Sequence, residues 1–109
     1  MPGIHDLQGY MDALCASFDA GRSGGRDVTL QYVFSGSVTG ACYAAIADEN
    51  IRVSEGTCPA PTATVFTDFD LWLRIIAYHL DPLMAYQDGL YRVEGDIEAL
   101  IESDALFRR

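Results

Sequence analysis

Hydrophobic and polar positions alternate with two different periods along this chain. From the N-terminus, Ile4, Leu7, Met11, Leu14 and Phe18 recur every three or four residues, while Asp6, Gln8, Asp12 and Asp19 fall off that stripe. The spacing predicts a helix with one buried face. Its polar side is acidic, whereas helices that lie on membranes carry Lys and Arg there, so the stripe is read as core packing. Gly21-Arg22-Ser23-Gly24-Gly25 breaks this element from the next. Val28, Leu30, Tyr32 and Phe34 then alternate with Thr29, Gln31 and Val33, the period of two of a strand with one face inward. Ser35–Gly40 supplies a turn, Ala41–Ala47 a second strand rich in small residues, Asp48-Glu49-Asn50 a tight turn, and Ile51–Glu55 a third strand. Short turns between successive strands predict an antiparallel meander.

The second half reads as strand and helix in alternation. Pro59 and Pro61 make Gly56–Pro61 a loop. Thr62–Phe66 is a fourth strand, and Thr67 or Asp68 caps a helix over about Phe69–Tyr78, with acid in its first turn. In that helix Phe69, Leu71, Trp72, Leu73, Ile75, Ile76 and Ala77 cover nearly the whole circumference, so it must be covered on most sides. Three covers are open: a bound ligand, a second subunit, or the rest of the chain around a central helix. Asp81-Pro82 starts another helix with an N-cap and a proline in its first turn, which Gly89 ends. Leu90–Glu94 is a fifth strand, and Gly95-Asp96 opens a last helix with Ile97, Leu100 and Ile101 on its apolar face, before Leu106-Phe107 close the chain.

Composition narrows the function more than the fold. The 109 residues fit one domain, and half of them are apolar, which excludes a disordered chain. No apolar run reaches the roughly 20 residues that span a bilayer, no secretory leader or lipidation box is visible, and a cytoplasmic location without stable membrane insertion is expected. Sixteen acidic and seven basic residues give a net charge of −9, and every basic residue is Arg. Such a body repels phosphate backbones, so no nucleic-acid partner is expected, and a lysine-based Schiff base or P-loop is excluded. Cys15, Cys42 and Cys58 form neither a disulfide framework nor a zinc motif and read as reduced thiols. His5 lies near the terminus and His79 at a helix end, and neither joins a nucleophile or a carboxylate in a recognisable pattern. No serine elbow, dinucleotide fingerprint or calcium spacing occurs, so the expectation is a protein that is not an enzyme and uses no metal or cofactor.

The run from Glu55 to Phe107 resembles the sterol carrier protein-2 type lipid-transfer domain. The resemblance rests on Glu55-Gly56 after the third strand, Pro61 before the fourth, and the helix start Thr67-Asp68. It continues through Leu80-Asp81-Pro82-Leu83-Met84-Ala85, Gly89-Leu90, Gly95-Asp96 and the closing Leu106-Phe107, in order and at matching spacing. With the meander and first helix, it covers nearly the whole chain. One departure is the absence of a helix-ending glycine near Tyr78-His79, at the turn that borders the mouth of the family's cavity. The resemblance implies an α+β fold, a five-stranded mixed sheet, mainly antiparallel, with helices largely on one face and an apolar tunnel between them. It implies binding of fatty acid, fatty acyl-CoA, phospholipid or sterol-like ligands, or an accessory role in larger proteins.

The residues themselves nominate an apolar site around the two central helices: Phe66, Trp72, Ile75, Ile76, Leu83, Met84, Tyr86 and Leu90. Pockets for lipophilic ligands are lined in this way, and each buried CH₂ contributes about 0.8 kcal/mol, so about ten methylenes outweigh any single polar contact. Met84 suits an adaptable wall, and Trp72, Tyr86, Arg74 or Arg92 could hold a headgroup. The expected partner is a small lipophilic ligand, carried or transferred. The alternative is a ligand-free homodimer or interaction domain whose contact is the apolar face of the helix around Trp72 and Ile76.

Overall fold

The computed structural model describes residues 4–22, 24–77 and 81–107. Helix α1 (Leu7–Ser17) begins where the Asp6 carboxylate accepts the Gly9 N–H at 2.8 Å. Tyr10, Met11 and Leu14 form its buried face, and Tyr10, one position off the predicted stripe, is the deepest of them. Strands β1 (Val28–Ser35), β2 (Gly40–Ala47) and β3 (Asn50–Glu55) make the expected meander. Asp48 and Glu49, at φ 54° and 60°, close the β2–β3 hairpin. Two successive left-handed residues match the right-handed twist of the flanking strands.

Strand β4 (Ala63–Asp68) runs parallel to β1, with Leu30 opposite Ala63 and Ser35 opposite Asp68. Strand β5 (Arg92–Gly95) is antiparallel to β4, so the order is β3-β2-β1-β4-β5. The fold is α+β, with one parallel pair in a sheet that is otherwise antiparallel. A parallel pair needs a crossover, and Gly56–Thr62 supplies it without helix or strand. That loop is pinned by Gly56 N–H to Ala41 O (2.8 Å), Cys58 N–H to Gln31 Oε1 (2.8 Å) and Thr62 N–H to Thr29 O (2.8 Å). Gln31 is buried on the sheet face opposite Leu30 and Tyr32; its amide also donates to Thr64 Oγ1 at 3.3 Å. A buried polar side chain holding both its neighbours is what keeps this loop against the sheet.

The other face carries the core. Leu30, Tyr32, Phe34, Cys42, Ala44, Ile46, Ala63 and Val65 are buried there, with α1 packed across β2 and β3, and helices α2 (Phe69–Ala77) and α4 (Ile97–Ser103) across β4. The Asp68 carboxylate accepts from Leu71 N–H at 2.9 Å, so the last residue of β4 caps α2. Helix α3 (Pro82–Gln87) is capped by Asp81, whose carboxylate accepts from Leu83 N–H at 2.9 Å. Asp96 caps α4 through Ala99 N–H at 3.1 Å. Two short 3₁₀ turns, Ala20–Arg22 and Asp104–Leu106, finish α1 and α4. They are tied together by Asp19 N–H to Leu106 O (2.7 Å) and by the Phe18–Phe107 ring contact.

The fifth strand starts at Arg92 rather than Leu90, because Tyr91 turns inward against Trp72 before the chain becomes extended. At its far end Gly95 has φ 91°, and a β-carbon there would sit 2.5 Å from the Thr62 carbonyl oxygen. Gly95→Ala is therefore expected to lower unfolding stability by about 2 kcal/mol or more. Glu49→Gly, which relieves an exposed left-handed residue, is expected to raise it by about 1 kcal/mol. Urea midpoints of the two variants, moving in opposite directions at constant slope, are the check.

Candidate functional site

Apolar side chains meet from four elements between the helices and the sheet. Helix α1 brings Tyr10, Ala13, Leu14 and Ser17; β1 brings Leu30 and Tyr32; α2 brings Trp72, Ile75 and Ile76; α4 and the turn beyond it bring Leu100, Ser103, Asp104 and Phe107. The partly open cavity they line measures about 50 Å³. Tyr10, Leu14, Leu30, Tyr32, Trp72, Ile75, Leu100 and Ser103 are buried and form its wall, whereas Ala13, Ser17, Ile76, Asp104 and Phe107 are half-buried and form its rim.

The wall is organised by one hydrogen bond. Trp72 Nε1 donates to the Tyr10 hydroxyl at 2.8 Å, with both side chains buried. Rings pack around that bond: Tyr10 meets Tyr32 at 5.4 Å and Phe34 at 5.2 Å edge-on, and Trp72 meets Tyr91 at 5.3 Å. Edge-to-face contacts of this kind add about 0.5–1.5 kcal/mol each beyond the area they bury. Burial, aided by the neighbouring Tyr32, pushes the Tyr10 phenol well above its ordinary range. Burial and the Asp104 carboxylate push Tyr91 up to about 12, and burial lifts the Cys42 thiol to about 12. None of these groups can ionise near neutrality, so they act here as packing and hydrogen-bonding groups rather than as bases or nucleophiles.

The cover over α2 comes from the chain itself. Phe69, Trp72 and Ile75 are buried, Leu71, Leu73 and Ile76 are half-buried, and only Asp70 and Arg74 of its described side chains are exposed. Trp72 retains 5% exposure, packed within the chain against Tyr10, Tyr32 and Tyr91, while Ile76 is half-buried.

The eight nominated residues do not converge on one cavity. Trp72, Ile75 and Ile76 line the one described above. Phe66 and Leu90 line a separate open groove of about 360 Å³, with Val33, Leu71 and Arg92, whose guanidinium lies 4.0 Å over the Phe66 ring and 3.2 Å from Glu94. Tyr86 is half-buried against Tyr91. Leu83, Met84 and Leu90 are 40%, 60% and 42% exposed. Sequence reading passed over Tyr10, Ala13, Ser17, Ser103 and Asp104 as site residues. For Tyr10 a signal existed, since it lies three residues after Leu7 and four before Leu14. His5 is exposed, and Tyr78, His79 and Leu80, where the helix-ending glycine is missing, lie outside the described residues. Among the described residues there is no cluster of three or more His, Cys, Asp or Glu able to hold a metal, and no helix long and apolar enough to cross a membrane.

No protein-family model matches the sequence, and no curated protein matches it. Solved structures do. Sterol Carrier Protein 2 Like 2 from Aedes aegypti superposes with TM-score 0.64 at 17% identity, over 89% of this chain and 87% of that one. Sterol Carrier Protein 2 from Yarrowia lipolytica, apo form, gives TM-score 0.69 at 10% identity, over 89% and 85%. This chain has the sterol carrier protein 2 fold. The same fold occurs inside a larger enzyme: the stereoselective inverting sec-alkylsulfatase from Pseudomonas sp. matches with TM-score 0.82 at 24% identity over 93% of this chain. The chain spans only 16% of that sulfatase. The sterol carrier fold read from the motifs after Glu55 is thus the fold observed, with the aromatic-walled cavity lying between its sheet and its helices.

Removing the Tyr10 hydroxyl leaves the buried Trp72 N–H without its acceptor. Tyr10→Phe is expected to cost about 1–3 kcal/mol of stability, read as a denaturant midpoint, and to shift Trp72 emission in the folded state. Raised phenol pKa values also set a pH dependence. Tyr10 and Tyr91 hold their protons more tightly folded than unfolded, so their contribution is complete below pH ~10 and fades as pH rises toward 12. Thermal unfolding followed from pH 9 to 12 should show this loss, and Tyr91→Phe should make it shallower.

Proposed function

We propose that this chain binds an apolar ligand between its sheet and helices α1, α2 and α4 and serves as a lipid-binding or lipid-carrying module. The observation that carries this reading is the aromatic-walled cavity itself, on a fold shared with proteins described as sterol carriers. At about 50 Å³ the cavity is smaller than the roughly 150 Å³ that admits benzene in an apolar void. A fatty or sterol-like ligand therefore enters as the helices part at the half-buried rim, and its burial supplies the driving force. On this reading Trp72, Ile75 and Ile76 contact ligand, the chain works as one domain over residues 1–109 in the cytoplasm, and it needs no catalytic group or cofactor.

A second reading is a non-catalytic interaction domain: an accessory part of a longer assembly, which the sulfatase likeness favours, or one half of a homodimer. The exposed Leu83, Met84 and Leu90 would then supply the contact, since contiguous exposed apolar surface marks partner sites.

Native mass spectrometry of gently purified protein is expected to show co-purifying lipid. Trp72, the single tryptophan, should change emission when a fatty or sterol-like probe binds. Ala13→Phe, which plugs the rim, should abolish that response in a folded protein. A chain that carries no lipid, ignores every probe and sediments as a dimer broken by Met84→Asp would replace the first reading with the second.

A further inference from the structure

The aromatic rings of the cavity wall continue outward in an unbroken chain. Between ring centroids, Tyr10 and Tyr32 stand 5.4 Å apart, Tyr32 and Trp72 6.0 Å, Trp72 and Tyr91 5.3 Å, and Tyr91 and Tyr86 5.9 Å. The first four rings are buried and Tyr86 is half-buried. Each separation is a contact distance for aromatic rings. Phenylalanine would fill the same space with no hydroxyl or N–H to satisfy. Tyrosine and tryptophan differ from it in giving up one electron far more readily, and electrons pass quickly between rings in contact. The charge along the chain also has a direction. Burial is the largest influence on the Tyr91 phenol, and the carboxylates of Asp104 and Asp81 come next. Negative charge beside a ring makes its electron easier to remove, so an electron vacancy on Trp72 is drawn toward Tyr91. From there Tyr86 carries the path to a half-buried position.

We infer that Trp72, Tyr91 and Tyr86 form a relay that discharges an oxygen-centred radical of an oxidised lipid at the cavity wall and brings the electron vacancy out to Tyr86. The lipid radical rests on the proposed reading that a lipid occupies the cavity; the relay of rings does not. An alkoxyl radical, RO•, takes one electron from the Trp72 ring and becomes RO⁻, which takes a proton from water at the rim. Tyr91 refills Trp72, and Tyr86 refills Tyr91. Tyr86 gives its phenolic proton to water as it loses the electron. The net reaction turns RO• and the Tyr86 phenol into ROH and a Tyr86 phenoxyl radical: one O–H bond breaks, one forms, and one electron moves. Trp72 keeps its N–H, held against the Tyr10 hydroxyl at 2.8 Å, so only electrons cross the core. The oxidised residue is then a half-buried one on a short helix, not a ring packed in the wall.

The test uses the folded full chain. A laser pulse absorbed by tryptophan alone ejects an electron from Trp72, the single tryptophan, and transient absorption follows the indole radical. Its signal is expected to give way to that of a tyrosyl radical, and a nitroso spin trap with peptide mass mapping is expected to find the adduct on Tyr86. Tyr91→Phe should slow the handover by an order of magnitude or more. Tyr86→Phe, at a half-buried position that tolerates the change, should keep the tyrosyl signal and lose the trapped adduct. Tyr43→Phe, on the strand position paired with Gln31, should change nothing. An adduct on any other tyrosine, or a handover as fast in Tyr91→Phe as in the wild type, overturns the relay. A second arm loads the protein with linoleate hydroperoxide and adds Fe(II), which generates the lipid alkoxyl radical in place. The Tyr86 adduct is expected again, and Tyr91→Phe should diminish it; an adduct indifferent to that variant comes from radicals in solution and overturns the lipid step. So does a bound hydroperoxide, seen as a change in Trp72 emission, that yields no adduct, and lipid binding then still stands. If the hydroperoxide does not bind, the lipid step falls together with the reading of the cavity.

Discussion

The bond between Trp72 and Tyr10 is the constraint on which the rest of the structure turns. It joins the first helix to the second across 62 positions of sequence and sets how far each can approach the sheet. A buried indole N–H must find an acceptor, and α1, laid over the sheet, brings the Tyr10 hydroxyl to it. Tyr32, Phe34, Phe69 and Tyr91 then pack against that pair. Aromatic rings meeting edge to face fill space less flexibly than aliphatic chains do. The gap they leave, bounded by Leu14, Leu100 and Ser103, is the cavity. Void and bond are thus two aspects of one arrangement.

Much of the fold was legible because its signals are local. A two-residue period marks β1, the caps Asp68, Asp81 and Asp96 stand where their helices begin, and Gly95 occupies a position that only glycine tolerates. The site was less legible, for three physical reasons. Tyr10 has a polar end, and its partner lies far along the chain, so no window of sequence contains both. Ala13, Ser17 and Ser103 are small, and small residues matter to a cavity only when they face one another in space. Leu83, Met84 and Leu90 show the converse case, since their hydrophobicity goes with exposure rather than with burial. Much of any folded protein's surface is apolar, so hydrophobicity alone does not say which side chains a fold buries.

The nearly all-apolar helix α2 illustrates how tertiary context chooses among covers that sequence leaves open. Its residues require burial on most sides but do not say by what. In the structure β4 leads directly into it, with Asp68 ending the strand and capping the helix. That junction fixes α2 over the sheet at once, and α1, α4 and Tyr91 complete its surroundings. The likenesses give this arrangement a context: the same fold is a small part of the solved sulfatase chain and most of the solved sterol carrier chain.

The crossover from β3 to β4 bears on how such a chain assembles. The meander of β1 to β3 joins neighbours through short turns, so its contacts close small loops. The parallel pairing of β1 with β4 joins residues 33 apart, as between Leu30 and Ala63, and no helix in the intervening stretch shortens that search. Closing such a loop costs entropy before any pairing repays it, and parallel contacts of this length slow folding. Gln31 bears on that step: its side-chain carbonyl accepts from the Cys58 N–H, which holds the loop against the sheet shortly before β4 begins. A buried glutamine on the face away from the cavity thereby ties the loop that delivers the central strand's second neighbour.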